Sequence, residues 1–454
     1  MMYLSEAAIA TKGRVIGQDV LFNSVGTDSR ALSQGQLFVA LKGEHFDGHA
    51  YVQQSLAHGA PAAMVSVDEP GLSPVLLVED TRLGLGALAS YWRGKFNIPL
   101  AAITGSNGKT TVKEMLSHIL IAHTGEGGSV LATQGNLNND IGLPLTLLKL
   151  REHHRYAVAE MGMNHAGEIS YLTKLGQPTV ALINNASSAH LAGLGSVEGI
   201  AKAKGEIFEG LAVDGIAVIN ADDVFAPLWK KLAAPHQIMT FGLEHDADVT
   251  AHYQLQADSS NVQMKTPGGT TEFHLSVSGL HNVRNALAAA TVAHAMQIPL
   301  AAIAKGLASF SGIKGRLQHK AGINGALVID DTYNANPVSM MAAIDVLTAR
   351  GGEKLLVLGD MGELGADAAK MHAEIGSYSK AAGIKKLYAL GDLSREMVKA
   401  FGKGARHYAS PEALVHDLAL SMKTGVTVLV KGSRFMQMER VVELIVTDKM
   451  RETH

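Results

Sequence analysis

Short apolar runs separated by amphipathic stretches dominate the chain. Between about 98 and 223 the runs "IPLAAITG", "YAVAEMG", "PTVALINN" and "GIAVINADD" alternate with helix-period segments. Such strands predict a parallel sheet covered by helices on both faces. A second series begins near 315 with "ALVIDDTY", "EKLLVLGD", "KKLYALGD" and "VTVLVKGS", each followed by a helical pattern. Residues 1–82 carry shorter strand signals, "QLFVAL", "AAMVSV" and "PVLLVED", around the helical stretch "AYVQQSLAHGA". From 236 to 278 the pattern changes. Here "QIMTFG", "DVTAHYQLQ", "NVQMKT" and "TEFHLSV" predict an antiparallel addition with "TPGGT" as a turn. "GLHNVRNALAAATVAHAM" predicts a helix. The expected architecture is α/β in three domains: a small α/β domain at 1–82, a central parallel-sheet domain with its antiparallel addition at 83–314, and a Rossmann-like α/β domain at 315–454. The last contains no G-x-G-x-x-G, so a dinucleotide site has no support there.

Composition narrows the function. A chain of 454 residues exceeds one ordinary core, and 47% hydrophobic with 18% charged residues suits a compact fold. A net charge of −3 gives no global field for nucleic acid or an anionic membrane, so anionic ligands must be gripped locally. Cysteine is absent, which removes disulfides, thiolate metal sites and cysteine nucleophiles. The start "MMYLSEAAIATKGRV" lacks a secretory pattern and no apolar run reaches transmembrane length. No stable membrane insertion and a cytoplasmic location are expected.

The stretch "AAITGSNGKTTVKEML", residues 101–116, follows a strand and opens a helix. Gly105, Ser106, Asn107 and Gly108 form a turn whose N–H groups can approach an anion, and the helix dipole adds to them. Lys109 reaches the β- and γ-phosphates of a nucleotide, and Thr110, by its position directly after the lysine, supplies a hydroxyl for Mg²⁺, with Thr111 a second hydroxyl one residue on. The loop is shorter than the usual phosphate loop and alone leaves kinase, motor, GTPase and ligase open. Three later strand ends add Glu160, His190 and the pair Lys202 and Lys204. Singly these read equally as a surface charge, a structural histidine and a solvated helix face. Topology converges them on the crevice at the carboxyl edge of a parallel sheet.

The pieces "TGSNGKTT", "AEMG", "SSAHLAGLGS", "AKAKGEIF", "NADD", "HNVRNALAAA", "KGR", "DDTYNANP" and "VKGSR" run in order along nearly the whole chain. In that series the chain resembles the Mur ligase family of ATP-dependent amide-forming enzymes, relatives of folylpolyglutamate synthetase. The resemblance implies ATP and two Mg²⁺ ions as cofactors. Thr110 and Glu160 would hold the first ion, and His190 would help hold the second. Lys204, better placed than Lys202, matches a lysine that several members carry as a carbamate.

The same resemblance implies adenine contact by Asn282, one turn from Asn285 on a common helix face, where His281 or Asn282 otherwise reads as a helix cap. It implies a γ-phosphate clamp by Arg316, ribose contact by Asp331 rather than Asp330, and nucleotide contacts from Tyr333, Asn334 and Asn336. "TDSRALSQGQLFVALKGEHFDGHAYV" resembles the UDP-sugar-binding domain of certain members, with Ser29 and Arg30 toward the UDP group. Asn136, Asn138 and Asn139 would line the substrate path, and Lys431 and Ser433 would contact dipeptide or phosphate. "YNANPVSM", "LGDMGELG" and "VKGSRFMQMER" are most similar to the member that joins D-alanyl-D-alanine to a UDP-N-acetylmuramoyl-tripeptide; those two molecules are the implied substrates, and a monomer is expected. Another ligase on this scaffold and a non-catalytic nucleotide-binding module are the alternatives.

Overall fold

The computed structural model describes residues 1–187 and 194–447. Its central sheet has six parallel strands in the spatial order Gln237–Phe241, Ile216–Asn220, Val180–Ile183, Leu100–Thr104, Tyr156–Glu160 and Val130–Ala132. Side chains alternate between two apolar cores. Leu100, Ala102, Ala157, Ala159, Ala181 and Ile183 enter one, while Ala101, Ile103, Val158, Val180 and Leu182 enter the other. Burial on both faces is why these strands read as unbroken apolar runs. The chain leaves Leu100–Thr104 toward one edge and later returns on its other side at Val180–Ile183, which creates a crevice at the carboxyl ends of these strands.

"QIMTFG" differs from its expected place. Gln237–Phe241 pairs in parallel with Ile216–Asn220 and forms the edge of the central sheet. Its apolar residues fit either setting, and only the pairing partner decides. The antiparallel sheet is three-stranded, Thr250–Leu255, Ser260–Thr266 and Gly269–Leu275, with the second hairpin closing between Thr266 and Gly269.

The N-terminal sheet runs Arg14–Ile16, Val75–Leu77, Ala63–Val65, Gln36–Val39 and Ser24–Gly26, antiparallel only at the first pairing. Helix Thr81–Arg93 begins on Asp80, whose carboxylate accepts from the N–H groups of Arg82 and Leu83. The division at 82/83 therefore falls in the first turn of this helix. Its Leu85, Leu88 and Trp92 join Leu4, Phe22 and Leu37 to the central core, so the first two domains share one apolar interior.

The C-terminal sheet has the order Gln318–Ala321, Leu327–Asp331, Val426–Lys431, Glu353–Gly359, Lys386–Leu390 and Ala405–Tyr408. The first strand is antiparallel to its neighbour and the rest are parallel. Both edge strands escaped the sequence reading because they are half exposed and polar. Among the described residues no helix is long and apolar enough to cross a membrane.

Candidate active site

The three carboxyl-edge loops of the central sheet face the first loops of the C-terminal sheet across a cleft of about 1980 Å³. The phosphate loop lies on its wall. Gly108 has φ +80°, and a Cβ there would stand 2.4 Å from Asn285 Oδ1 and 2.6 Å from Asn184 Nδ2. Glycine is therefore required for both conformation and space. Helix Lys109–Thr124 starts immediately after it with no side-chain cap. Its first N–H groups are left for an anion, and the helix dipole favours one there.

The loop is held from below by residues that the sequence reading passed over. Asn185 Oδ1 accepts from Asn107 N at 2.9 Å, Asn184 Nδ2 donates to Asn107 O at 3.0 Å, and Ser187 N donates to Ser106 Oγ at 2.9 Å. Their signal was present in "NNASS" directly after a strand, but an asparagine–serine cluster looks like any turn. Asn285 belongs to the same support, since its Oδ1 accepts from Asn184 Nδ2 at 3.1 Å.

Lys109 Nζ donates to Gly105 O at 2.6 Å across the loop mouth. Burial holds its ammonium below the usual range, with Glu160 opposing that shift and Arg316 reinforcing it. Thr110 Oγ1 donates to Glu160 Oε2 at 2.9 Å, and Asn138 Nδ2 donates to Glu160 Oε1 at 2.8 Å. Thr111 is buried beside them in the cleft wall and does not meet that carboxylate. A hydroxyl and a buried carboxylate make a hard oxygen donor set. Among the described residues no cluster of three or more histidines, aspartates and glutamates encloses a metal. That combination fits Mg²⁺, which takes one or two protein oxygens and completes its shell with phosphate and water. His190 lies outside the described residues.

Lys202 and Lys204 part company on one helix. Lys202 is exposed and pairs with Glu198 at 2.7 Å. Lys204 is 1% exposed, and burial, with the Lys109 charge adding to it, holds its amine well below the usual lysine range.

The C-terminal domain reaches onto the phosphate loop. Arg316 Nη2 donates to Thr110 Oγ1 at 3.0 Å, its guanidinium lies 4.2 Å from the Tyr333 ring centroid, and its buried Nε has no hydrogen-bond partner. Asn336 caps helix Pro337–Thr348 by accepting from Ser339 N, and its Nδ2 donates to Asn107 Oδ1 at 2.7 Å. Asn334 is spent locally, with Oδ1 accepting from Ala335 N and its carbonyl from Lys431 Nζ. Lys431 also pairs with Asp331 at 2.7 Å, while Asp330 turns the other way to Lys320 and Thr332. Burial pushes the Asp331 carboxyl up despite Lys431. Ser433 Oγ bridges Gly362 N and Ala335 O.

At the far end of the cleft Asn282 Nδ2 donates to Ser278 O at 2.7 Å, so neither it nor His281 caps the helix by its side chain. Burial lowers the His281 pKa to about 4. Asn136, Asn138 and Asn139 line the cleft, and Asn139 also accepts from Gly142 N at 2.8 Å to start the next helix. Ser29 and Arg30 do not line it. They form a turn in which Ser29 is half-buried and Arg30, exposed, pairs with Asp28 at 2.8 Å.

Comparison with known proteins gives the same frame. The Mur ligase family catalytic domain matches residues 21–92, the Mur ligase middle domain 103–293, and the Mur ligase glutamate ligase domain 315–434. The UDP-N-acetylmuramoyl-tripeptide–D-alanyl-D-alanine ligase of Escherichia coli K12 is 42% identical over 446 residues, covering 97% of this chain and 98% of the relative. The enzyme of the same name from Haemophilus influenzae is 41% identical over 452 residues, covering 97% and 98%. Among solved structures, a crystal structure of MurF from Acinetobacter baumannii superposes with a TM-score of 0.91 at 38% identity, covering 97% of each chain. MurF ligase from Thermotoga maritima in complex with ADP gives 0.83 at 30% identity, covering 94% of this chain and 98% of that one. Its three domains and their order place this chain in the Mur ligase family.

Proposed function

We propose that the chain joins D-alanyl-D-alanine to UDP-N-acetylmuramoyl-tripeptide at the expense of ATP, in cytoplasmic peptidoglycan precursor synthesis, and acts as a monomer. The observation that carries this reading is 42% identity to the enzyme of that name along 97% of the chain.

The chemistry follows from a carboxylate's poor leaving group. A carboxylate oxygen of the tripeptide attacks the γ-phosphorus of ATP, and the bond to the β-phosphate oxygen breaks to release ADP. The product is an acyl phosphate. The neutral amine of D-alanyl-D-alanine attacks its carbonyl and gives up one proton, the tetrahedral intermediate collapses with cleavage of the acyl carbon–oxygen bond, phosphate departs and the amide remains. Lys109 and the helix N-terminus hold the phosphates, and Arg316 meets the charge spreading over the transferred group. Thr110 and Glu160 would hold Mg²⁺, with His190 assigned to a second ion; bound Mg²⁺ supplies charge neutralisation between the phosphates and the carboxylate. The cleft between domains keeps water from the acyl phosphate.

In the same reading Asn282 meets adenine, Asn285, Tyr333, Asn334 and Asn336 shape the nucleotide end, Asp331 meets the ribose, and Ser29 and Arg30 meet the UDP group. Phosphate release should require both the UDP-muramoyl tripeptide and D-alanyl-D-alanine. Oxygen-18 placed in the tripeptide carboxylate should appear in that phosphate. Release with folate and glutamate instead, or label that stays in the peptide, overturns the assignment.

Asn138 orients the metal-facing carboxylate, so Asn138→Ala is expected to raise the Mg²⁺ concentration for half-maximal activity by about ten- to a hundredfold. An unchanged Mg²⁺ curve with a raised KM for the UDP substrate would instead leave it as a substrate residue only.

Lys204 is the proposed carbamate site. A neutral buried amine is the form that adds CO₂, and burial, with the Lys109 charge adding to it, shifts Lys204 toward that form. The carbamate would put an anionic oxygen pair where the amine stands, within reach of the Lys109 charge. Carbon-13 NMR of the protein under labelled bicarbonate should show one carbamate resonance, absent in Lys204→Ala. A spectrum unaltered by that substitution would remove the site.

A further inference from the structure

Among the described residues, hydrogen bonds tie the C-terminal domain to the phosphate loop of the central one and to a second, separate place on it. That second place is the tip of the hairpin between strands Thr250–Leu255 and Ser260–Thr266. The tip is closed by Gln256 N donating to Ser259 O at 2.9 Å and Ser259 Oγ donating to Gln256 Oε1 at 2.7 Å. It presents Asp258 to Arg350, which lies two residues beyond helix Pro337–Thr348.

Both carboxylate oxygens are engaged. Arg350 Nη1 bonds to Asp258 Oδ1, Nη2 donates to Oδ2 at 3.3 Å, and Nη1 also reaches Ala257 O at 3.3 Å. His319 Nδ1 stands 3.5 Å from Oδ1. Although the Asp258 side chain is 56% exposed, that of Arg350 is only 13% exposed. A two-pronged guanidinium pair packed in this way is directional, unlike an ordinary surface ion pair.

The same helix is fixed at its other end. Asn336, its cap, donates to Asn107 of the phosphate loop at 2.7 Å. Twelve helical residues span about 18 Å, so the two attachments are well separated along a stiff rod. A second attachment far from the first restricts how the domain can pivot about it. The pivot angle also determines whether Arg316 lies on Thr110.

We propose that Asp258 and Arg350 are positioning residues for the ligation. The hairpin tip latches the C-terminal domain at the orientation that seats Arg316 and Asn336 on the phosphate loop. The antiparallel hairpin thereby acts as an outrigger for domain closure. The inference rests on the proposed ligase reading only for the identity of the reaction; the latch is a statement about domain orientation.

The test uses the full chain and three variants: Asp258→Arg, Arg350→Asp and the double exchange. An ion pair of this kind changes the closed population about three- to fivefold, and the repulsion created by reversal raises that to about tenfold. Each single variant should raise the KM for ATP by about three- to tenfold and enlarge the radius of gyration measured with AMP-PNP and UDP-muramoyl tripeptide. The thermal midpoint should stay at the parental value. The double exchange should recover at least half of each loss, which a merely structural effect would not give. Single variants that match the parent in KM and size, or a double exchange no better than its components, would sink the latch. A parent that fails to ligate the proposed substrates overturns the functional reading, while the scattering comparison still decides the latch.

Discussion

Replacing Lys109 with alanine is expected to abolish ADP formation, with a loss in kcat of about a thousandfold or more. Its Nζ sits 2.6 Å from Gly105 O at the mouth of the loop, so it is already positioned where β- and γ-phosphate oxygens would replace that carbonyl. Burial lowers its pKa, and anionic phosphates would raise it again, which makes the charge most valuable when nucleotide is bound. The UDP-substrate residues assigned to the first domain lie outside the cleft that this loop lines, so binding of UDP-muramoyl tripeptide should persist. Calorimetry of that binding beside an ADP assay checks both halves. Near-normal turnover in the variant would overturn the phosphate-loop assignment.

The second large effect is expected at Arg316. Alanine there should cost about a hundred- to a thousandfold in kcat with a smaller change in the KM for ATP. The guanidinium is held by the Tyr333 ring and Thr110, and its buried Nε still has a donor to offer. A donor preorganised beside the phosphate loop and unused by the protein is available to charge that develops during transfer. Arg316→Lys should not restore the rate, because an ammonium lacks the planar fork and the ring stacking. Full recovery with lysine would show that simple charge suffices. Pre-steady-state ADP formation separates this step from product release.

Sequence patterning was strongest where one local rule governed the outcome. The central strands are apolar on both sides because each side faces its own core, and that pattern is readable without knowing the partners. The phosphate loop was legible for a similar reason: glycine spacing, a lysine and a hydroxyl lie in consecutive residues. Gln237–Phe241 failed because an edge strand of either sheet type has the same composition, and strand direction is decided by pairing. Asn184, Asn185 and Ser187 failed because their partners lie nearly eighty residues away in the chain.

The amino-acid order by itself determined the α/β class, the strand-to-helix phosphate loop and the ordered series of family motifs, since each depends on neighbours within a turn or a strand. Only the tertiary structure decided that Thr110 rather than Thr111 meets Glu160, that Lys204 is buried while Lys202 is not, and that Asn285 braces the loop. It alone disclosed that one helix is tied at both ends to the central domain. Those facts depend on distances between segments far apart in the chain, and burial, desolvation and hydrogen-bond geometry exist only once the segments have packed.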